Sequence, residues 1–423
     1  MNKLVERFGK VVDSNIEKRP GLARKLLQAG FAYADFNFNH RPNKKLPPSK
    51  QYAAAVCMKA LREPLRDPAN SAIVNLFLPC EMLHIAGIRP LVAEQVSCYV
   101  AGAASEQGVL RKAEEAGVPP TMCSYHRILS GSAFAGIIGK PMFTANTTMV
   151  CDANISTFRF LADHFGVPHF TVDTPVSSSL DAVMYVADQL RELKGMIEDV
   201  SGRRISDEEL RKRVQLSERS LAAYREYIRS LAGKYMATDL TSEMYTILLS
   251  HNMLGTGQAA AYFEKLVRDV KAAPAYRGGN RIFWIHTIPN CQNSMCDIFN
   301  YSEQNQMLIC DLTTDFLDAG TADDPYISMA RRLQECSFNG RFEVRAERAL
   351  KTAKELNANG IVMFTHWGCR HTCGGARIME DMAGEAGIPM LILDGDGCDL
   401  SNINEGQMIT RVQAFLEMLE DKR

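Results

Sequence analysis

The sequence predicts an α/β protein: two Rossmann-like parallel-sheet lobes joined by a helical segment, with a helical N-terminal region. Three observations carry this expectation. Residues 143–172 read strand, helix, strand, and residues 360–393 repeat that order. Between them, residues 178–275 hold helical spacing with no strand candidate of any strength. A strand–helix–strand order makes the two strands parallel. At 423 residues the chain also exceeds one ordinary core. The expected divisions are 1–65 (N-terminal helices), 66–177 (first lobe), 178–278 (helical connector) and 279–423 (second lobe).

The first 65 residues are rich in Lys and Arg and break at Arg41-Pro-Asn-Lys-Lys-Leu-Pro-Pro48. Ile73–Leu78 reads as a strand ended by Pro79, and Glu81 opens a helix stopped by Gly87. Phe143–Val150 is a strand candidate, Asn154–Phe165 an amphipathic helix closed by Gly166, and Val167–Val172 the next strand. In the connector, Ser206-Asp-Glu-Glu209 is a helix-start signature. The second lobe offers strands at Arg281–Ile285, Met307–Asp311, Gly360–Phe364 and Ile388–Leu393. Its helices are expected at 341–358, 376–386 and 408–419. Each lobe has a strand, a cysteine beyond its end, a helix, then a Gly-Val-Pro or Gly-Ile-Pro turn (166–168, 387–389) into a strand ending in Asp. That echo makes Cys151 and Cys369 equivalent points on two lobes.

Composition excludes several classes. Hydrophobic residues are 46% and charged residues 23%, as in a soluble globular protein. A net charge of −1 gives no basic face for nucleic acid. Apolar runs such as 360–364 are strand-length, far short of a membrane span. The first eight residues carry charges and lack a signal-peptide core, so a cytoplasmic location is the default expectation. There is no P-loop and no GxGxxG, so the chain is not expected to bind ATP itself. Twelve cysteines in such a compartment are not a disulfide framework. Cys57, Cys310 and Cys336 read as small buried hydrophobes.

Three other cysteines stand out: Cys123 in Met-Cys-Ser-Tyr-His-Arg, Cys151 in Met-Val-Cys-Asp-Ala-Asn, and Cys369 in His-Trp-Gly-Cys-Arg-His-Thr-Cys. Each is expected near the end of an apolar β-like run. Three thiolates gathered from loops would hold an iron–sulfur cubane with one iron open. A structural zinc site would normally add a CxxC pair, which is absent. From spacing alone, a cluster and incidental cysteines remain equally open.

Met-Cys-Ser-Tyr-His-Arg, then Val-Cys-Asp-Ala-Asn leading to Gly-Val-Pro-His-Phe-Thr-Val-Asp-Thr-Pro, then Ile-Pro-Met-Leu-Ile-Leu-Asp-Gly-Asp followed by Gly406-Gln-Met-Ile-Thr-Arg411 and Glu417, keep one order over roughly 70–420. In these motifs the chain resembles the 2-hydroxyacyl-CoA dehydratase family, which includes benzoyl-CoA reductase subunits and double-cubane cluster proteins. The resemblance is to the larger subunit. It implies a [4Fe–4S] cluster on Cys123, Cys151 and Cys369 and an acyl-CoA substrate on the open iron. It implies a homologous second subunit, in a heterodimer or homodimer. It also implies an ATP-hydrolysing iron–sulfur activator that injects one electron, so that a ketyl radical expels hydroxide.

The resemblance makes Glu94 a candidate to bind or protonate the leaving hydroxyl; its other reading is a surface carboxylate. His126, His366 and His371 flank the cysteines as proton relays or packing residues. Glu81 matches the family's Pro-x-Glu element and reads as structural. His286, Cys291 and Cys296 are expected in the first loop of the second lobe, facing the lobe interface or simply within that loop. The chain departs from the family at Ile73–Leu78, which lacks the Ser of the larger subunits. Cys80, Cys98 and Cys373 lie near the three main cysteines. They are either packed thiols or extra ligands of a double-cubane [8Fe–9S] cluster, which needs six. The alternatives are therefore a benzoyl-CoA reductase-like or double-cubane reductase, and a non-catalytic partner subunit.

Overall fold

The computed structural model describes residues 3–289 and 291–422. Three helices open the chain: α1 (Lys3–Ile16), α2 (Pro20–His40) and α3 (Pro48–Arg66). The first sheet region runs β1 (Ser71–Val74), α4 (Glu81–Ala86), β2 (Arg89–Val92), α5 (Ala93–Gly102), α6 (Glu106–Glu115), α7 (Ser124–Phe134), β3 (Phe143–Thr147), α8 (Asp152–Phe165) and β4 (His169–Val172). Four helices follow: α9 (Leu180–Ser201), α10 (Asp207–Leu231), α11 (Leu240–Ser250) and α12 (Gly257–Ala272). The second sheet region runs β5 (Asn280–Ile285), α13 (Asn293–Phe299), β6 (Asn305–Cys310), α14 (Pro325–Gln334), α15 (Phe342–Glu355), β7 (Gly360–His366), α16 (Arg370–Glu385), β8 (Met390–Gly395) and α17 (Glu405–Asp421).

Both sheets are parallel and four-stranded, with orders β2-β1-β3-β4 and β6-β5-β7-β8. The orders are the same pattern twice, as the repeated sequence order implies. β1, β3, β5 and β7 are buried along their whole length, because helices cover both faces of a parallel sheet.

Several boundaries differ from the sequence expectation. β1 ends at Val74 rather than Leu78, because the Asn75 side chain takes up Thr147. Its Oδ1 accepts from the Thr147 amide at 3.1 Å and its Nδ2 donates to Thr147 Oγ1 at 3.1 Å. α16 begins at Arg370, six residues before the expected start, and carries Gly374 and Gly375 inside it. A Cβ on Gly375 would fall 2.1 Å from the Phe342 ring, so packing against α15 overrides low helix propensity there. α17 begins at Glu405 because Asn404 caps it, its side chain accepting from the Gln407 amide at 3.2 Å. Finally, Cys123 follows the loop after α6 and not an apolar strand.

Buried ion pairs tie the regions together. Glu81, at the start of α4, pairs with Arg332 of α14 and accepts from Ser217 Oγ of α10 at 2.7 Å. One carboxylate thus joins three elements, in keeping with the structural role expected of it. Lys50 of α3 meets Glu243 of α11 at 2.8 Å, both side chains only 1% exposed. Removing one partner strands the other charge in the core. Glu81→Ala should therefore cost about 3–5 kcal/mol, read as a lower urea midpoint.

Candidate functional site

The three cysteines occupy one structural position three times: each is the N-cap of a helix. Cys123 caps α7, Cys151 caps α8 and Cys369 caps α16. Cys151 follows β3 and Cys369 follows β7, which hold the same place in their sheets. In such sheets ligands gather beyond the carboxyl ends of the strands, where neighbouring connections diverge. The amides of Ala153 and Asn154 face Cys151, and that of Tyr125 faces Cys123. Each of the three cysteines therefore stands at the amide-bearing start of a helix.

The loops meet at a glycine. A Cβ on Gly368 would lie 2.2 Å from Cys123 Cα and 2.7 Å from Cys123 Cβ, so only Gly fits there. That contact seats the Cys369 loop on the Cys123 loop. Around it, Ser124 Oγ donates to Asp396 Oδ1 at 2.5 Å and Arg127 pairs with Asp399 at 3.4 Å, holding α7 against the loop after β8.

Burial pushes the Cys151 thiol up to about 11, and the nearby Cys369 adds to it. The Cys123 thiol is raised too, first by burial and then by Cys151. The three thiols therefore feel one another, and a soft cation among them would displace their protons. Each has a polar neighbour: His366 Nε2 at 3.1 Å from Cys123 Sγ, His126 Nε2 at 3.4 Å from Cys151 Sγ, and Thr372 Oγ1 at 3.2 Å from Cys369 Sγ. The Gly397 amide donates to His366 Nδ1 at 3.1 Å, which leaves the ring proton on Nε2, facing Cys123.

All three cysteines line one cavity of about 1590 Å³, with Glu94, His126, His286, His366 and His371 in its wall. Glu94 stands in the first turn of α5, its Oε2 accepting from the Leu76 amide at 3.0 Å. Burial raises its carboxyl to about 7. Burial also lowers His126 to about 4, and its Nδ1 has no hydrogen-bond partner. His371 is lowered to about 4 by burial and by Arg345. Arg345 Nη1 donates to His371 Nδ1 at 3.0 Å, so the His371 proton sits on the unpartnered Nε2. Arg345 is itself held by Asp311 at 2.8 Å.

Of Cys80, Cys98 and Cys373, Cys98 lines the cavity and the other two do not. Cys80 is buried, donating to the Leu78 carbonyl at 3.2 Å, and Cys373 is an exposed residue of α16. Cys57, Cys310 and Cys336 are buried, as their apolar settings imply. His286, Cys291 and Cys296 reach the cavity wall. The sequence reading missed Cys398, which adjoins Cys98 and Tyr125, and the Arg345–Asp311 pair. The run Gly-Asp-Gly-Cys, straight after a strand, was the available signal for Cys398. Among the described residues, no three His, Cys, Asp or Glu side chains converge as ligands of a single metal ion. A cubane asks for a wider arrangement, since each thiolate bonds a different iron. Soft donors on three helix N-termini around one cavity fit that demand.

Residues 75–419 match the family model described as 2-hydroxyglutaryl-CoA dehydratase, D-component. The chain belongs to this family. It is 21% identical over 368 residues to the (R)-phenyllactyl-CoA dehydratase alpha subunit of Clostridium sporogenes, covering 82% of this chain and 88% of that one. It is 21% identical over 375 residues to the lactoyl-CoA dehydratase subunit alpha of Anaerotignum propionicum, covering 81% and 89%. No described helix is long and apolar enough to cross a membrane.

The Gly368 contact can be tested directly. Gly368→Ala should destabilise the fold by about 1–3 kcal/mol in chemical denaturation, as overpacking does. Gly102→Ala, whose Cβ meets nothing within 4 Å, should stay within about 0.5 kcal/mol of the parent.

Proposed function

We propose that this chain is the iron–sulfur subunit of a 2-hydroxyacyl-CoA dehydratase. On this reading Cys123, Cys151 and Cys369 hold a [4Fe–4S] cluster with one iron open. The chain works with a homologous second subunit and receives one electron from an ATP-dependent iron–sulfur activator. The observation that carries the reading is the meeting of three helix-capping cysteines around one cavity, beside an acid and neutral imidazoles. The relatives point the same way, as alpha subunits of dehydratases acting on phenyllactyl-CoA and lactoyl-CoA.

When bound, the cluster supplies a Lewis-acidic iron for a substrate oxygen and a place for one electron. The chain's own residues handle the protons. Glu94, protonated up to about pH 7, delivers a proton to the departing hydroxyl. His126, a neutral imidazole in the cavity wall beside the Cys151 sulfur, accepts the β-proton. Arg345 fixes the His371 ring in the same wall. The C2–O bond and one C3–H bond break, a C2–C3 double bond forms and water leaves. The electron is recovered, so the reaction is redox-neutral overall.

A second reading, a double-cubane reductase, has one observation in its favour: Cys98, Cys291 and Cys398 lie within electrostatic reach of one another. Iron analysis after anaerobic purification separates the two. About four irons per chain is expected, about eight marks the double cubane, and none sinks both. Cys369→Ala should lose the cluster; unchanged iron content would refute the ligand assignment. Glu94→Gln should keep its iron but lose about 10²–10⁴-fold in kcat. In the parent protein, rate should fall about tenfold per pH unit above about 7, as the raised Glu94 acid ionises. An unaltered high-pH limb in Glu94→Gln would remove Glu94 from the proton step.

A further inference from the structure

The cavity is much larger than a cluster and its nearest residues need, and the excess has a shape. On α5, Glu94, Cys98 and Gly102 fall four residues apart, on one face, and all three line the cavity. Eight residues of helix carry this wall about 12 Å from the acid. The opposing walls come from α2 and α11. Phe31 meets Tyr99 edge-on at 6.0 Å, and Tyr99 stacks with Tyr245 at 6.4 Å. Gly102 leaves space, since a Cβ there would meet nothing within 4 Å.

The charges in the wall are as informative as the rings. Arg370 is the sole Lys or Arg among the described residues that line the cavity, and it stands next to Cys369, at the thiol end. Along the α5 wall, Gln95 is 8% exposed and gives its Nε2 to the Cys57 carbonyl at 2.9 Å. Its Oε1 is left without a partner. A carboxylate entering here would meet no Lys or Arg of the described residues. Desolvating an anion without a countercharge is costly, whereas an aryl or branched chain gains from burial.

We propose that this aromatic arm is the acyl subsite and that it selects neutral, bulky 2-hydroxyacyl groups, aryl or branched, over short or carboxylate-bearing ones. The inference rests on the thioester-dehydratase reading above and adds the substrate class to it. Gly102 and Tyr99 set how far the chain extends, and the lack of a Lys or Arg among the described residues along the arm disfavours an anionic end. The family's descriptive substrate, 2-hydroxyglutaryl-CoA, carries such an anionic end and is therefore a poor fit to this chain.

The test uses thioesters without the 2-hydroxyl, which cannot react, titrated calorimetrically into the anaerobically purified protein without activator. 3-Phenylpropanoyl-CoA should bind roughly tenfold or more tightly than propanoyl-CoA or glutaryl-CoA. Gly102→Leu should weaken 3-phenylpropanoyl-CoA roughly tenfold while changing propanoyl-CoA less than about twofold. Equal affinities, or glutaryl-CoA binding best, overturn the acyl assignment and leave the dehydratase reading standing. Equal weakening of all three by Gly102→Leu makes the arm a site for the shared CoA portion, and also overturns it. Failure of every thioester to bind sinks both.

Discussion

The close approach of Gly368 to Cys123 is the constraint on which the rest of the site depends. Two backbones from different sheet regions come near enough that no side chain fits between them. Once they touch, Cys369 and Cys123 open their helices side by side, and Cys151 follows from the parallel sheet that β3 shares with β1. The flanking bonds, Ser124 to Asp396 and Arg127 to Asp399, protect this contact. A site made from three loops would ordinarily tolerate some slack. Here each loop ends in a helix start, and rigid elements fix sulfur positions better than loops do.

Burial then sorts the protons. Burial in the same cavity raises the Glu94 carboxyl and lowers the His126 imidazole, with one physical cause behind both. Where a histidine must present a chosen nitrogen, a hydrogen bond to its other nitrogen decides the matter: the Gly397 amide for His366, the Arg345 guanidinium for His371. Arg345 in turn lies over the Phe338 ring at 4.0 Å and pairs with Asp311, so its position does not drift. The proton placement is built in before any substrate arrives, which limits reorganisation during reaction.

Much of the architecture was legible in the sequence, because the signals were local. The Gly-Val-Pro and Gly-Ile-Pro turns, the helix stops at Gly87 and Gly166, and the apolar runs at 281–285 and 360–364 each need only a few neighbouring residues to be read. What could not be read depended on distant partners. Cys123 faces His366 across 243 residues of chain. The early start of α16 depends on the Phe342 ring, and the early end of β1 on Thr147. The side-chain orientation of Glu94, which separates a surface carboxylate from a buried acid, follows from the Leu76 amide and not from anything near it in sequence.

The matching sheet orders have a further implication. A twofold repeat supplies donors in pairs, and here the repeat yields Cys151 and Cys369. The third cysteine comes from the helix leading into β3, whose counterpart leading into β7 opens instead with Arg341. One half of the repeat therefore contributes two sulfurs and the other contributes one. An even set would close a four-cornered centre on itself. On the proposed cluster reading, the odd count leaves one corner that these three cysteines do not fill, and the polarity of the site, its closed side and its reactive side, originates in a broken symmetry between the two halves.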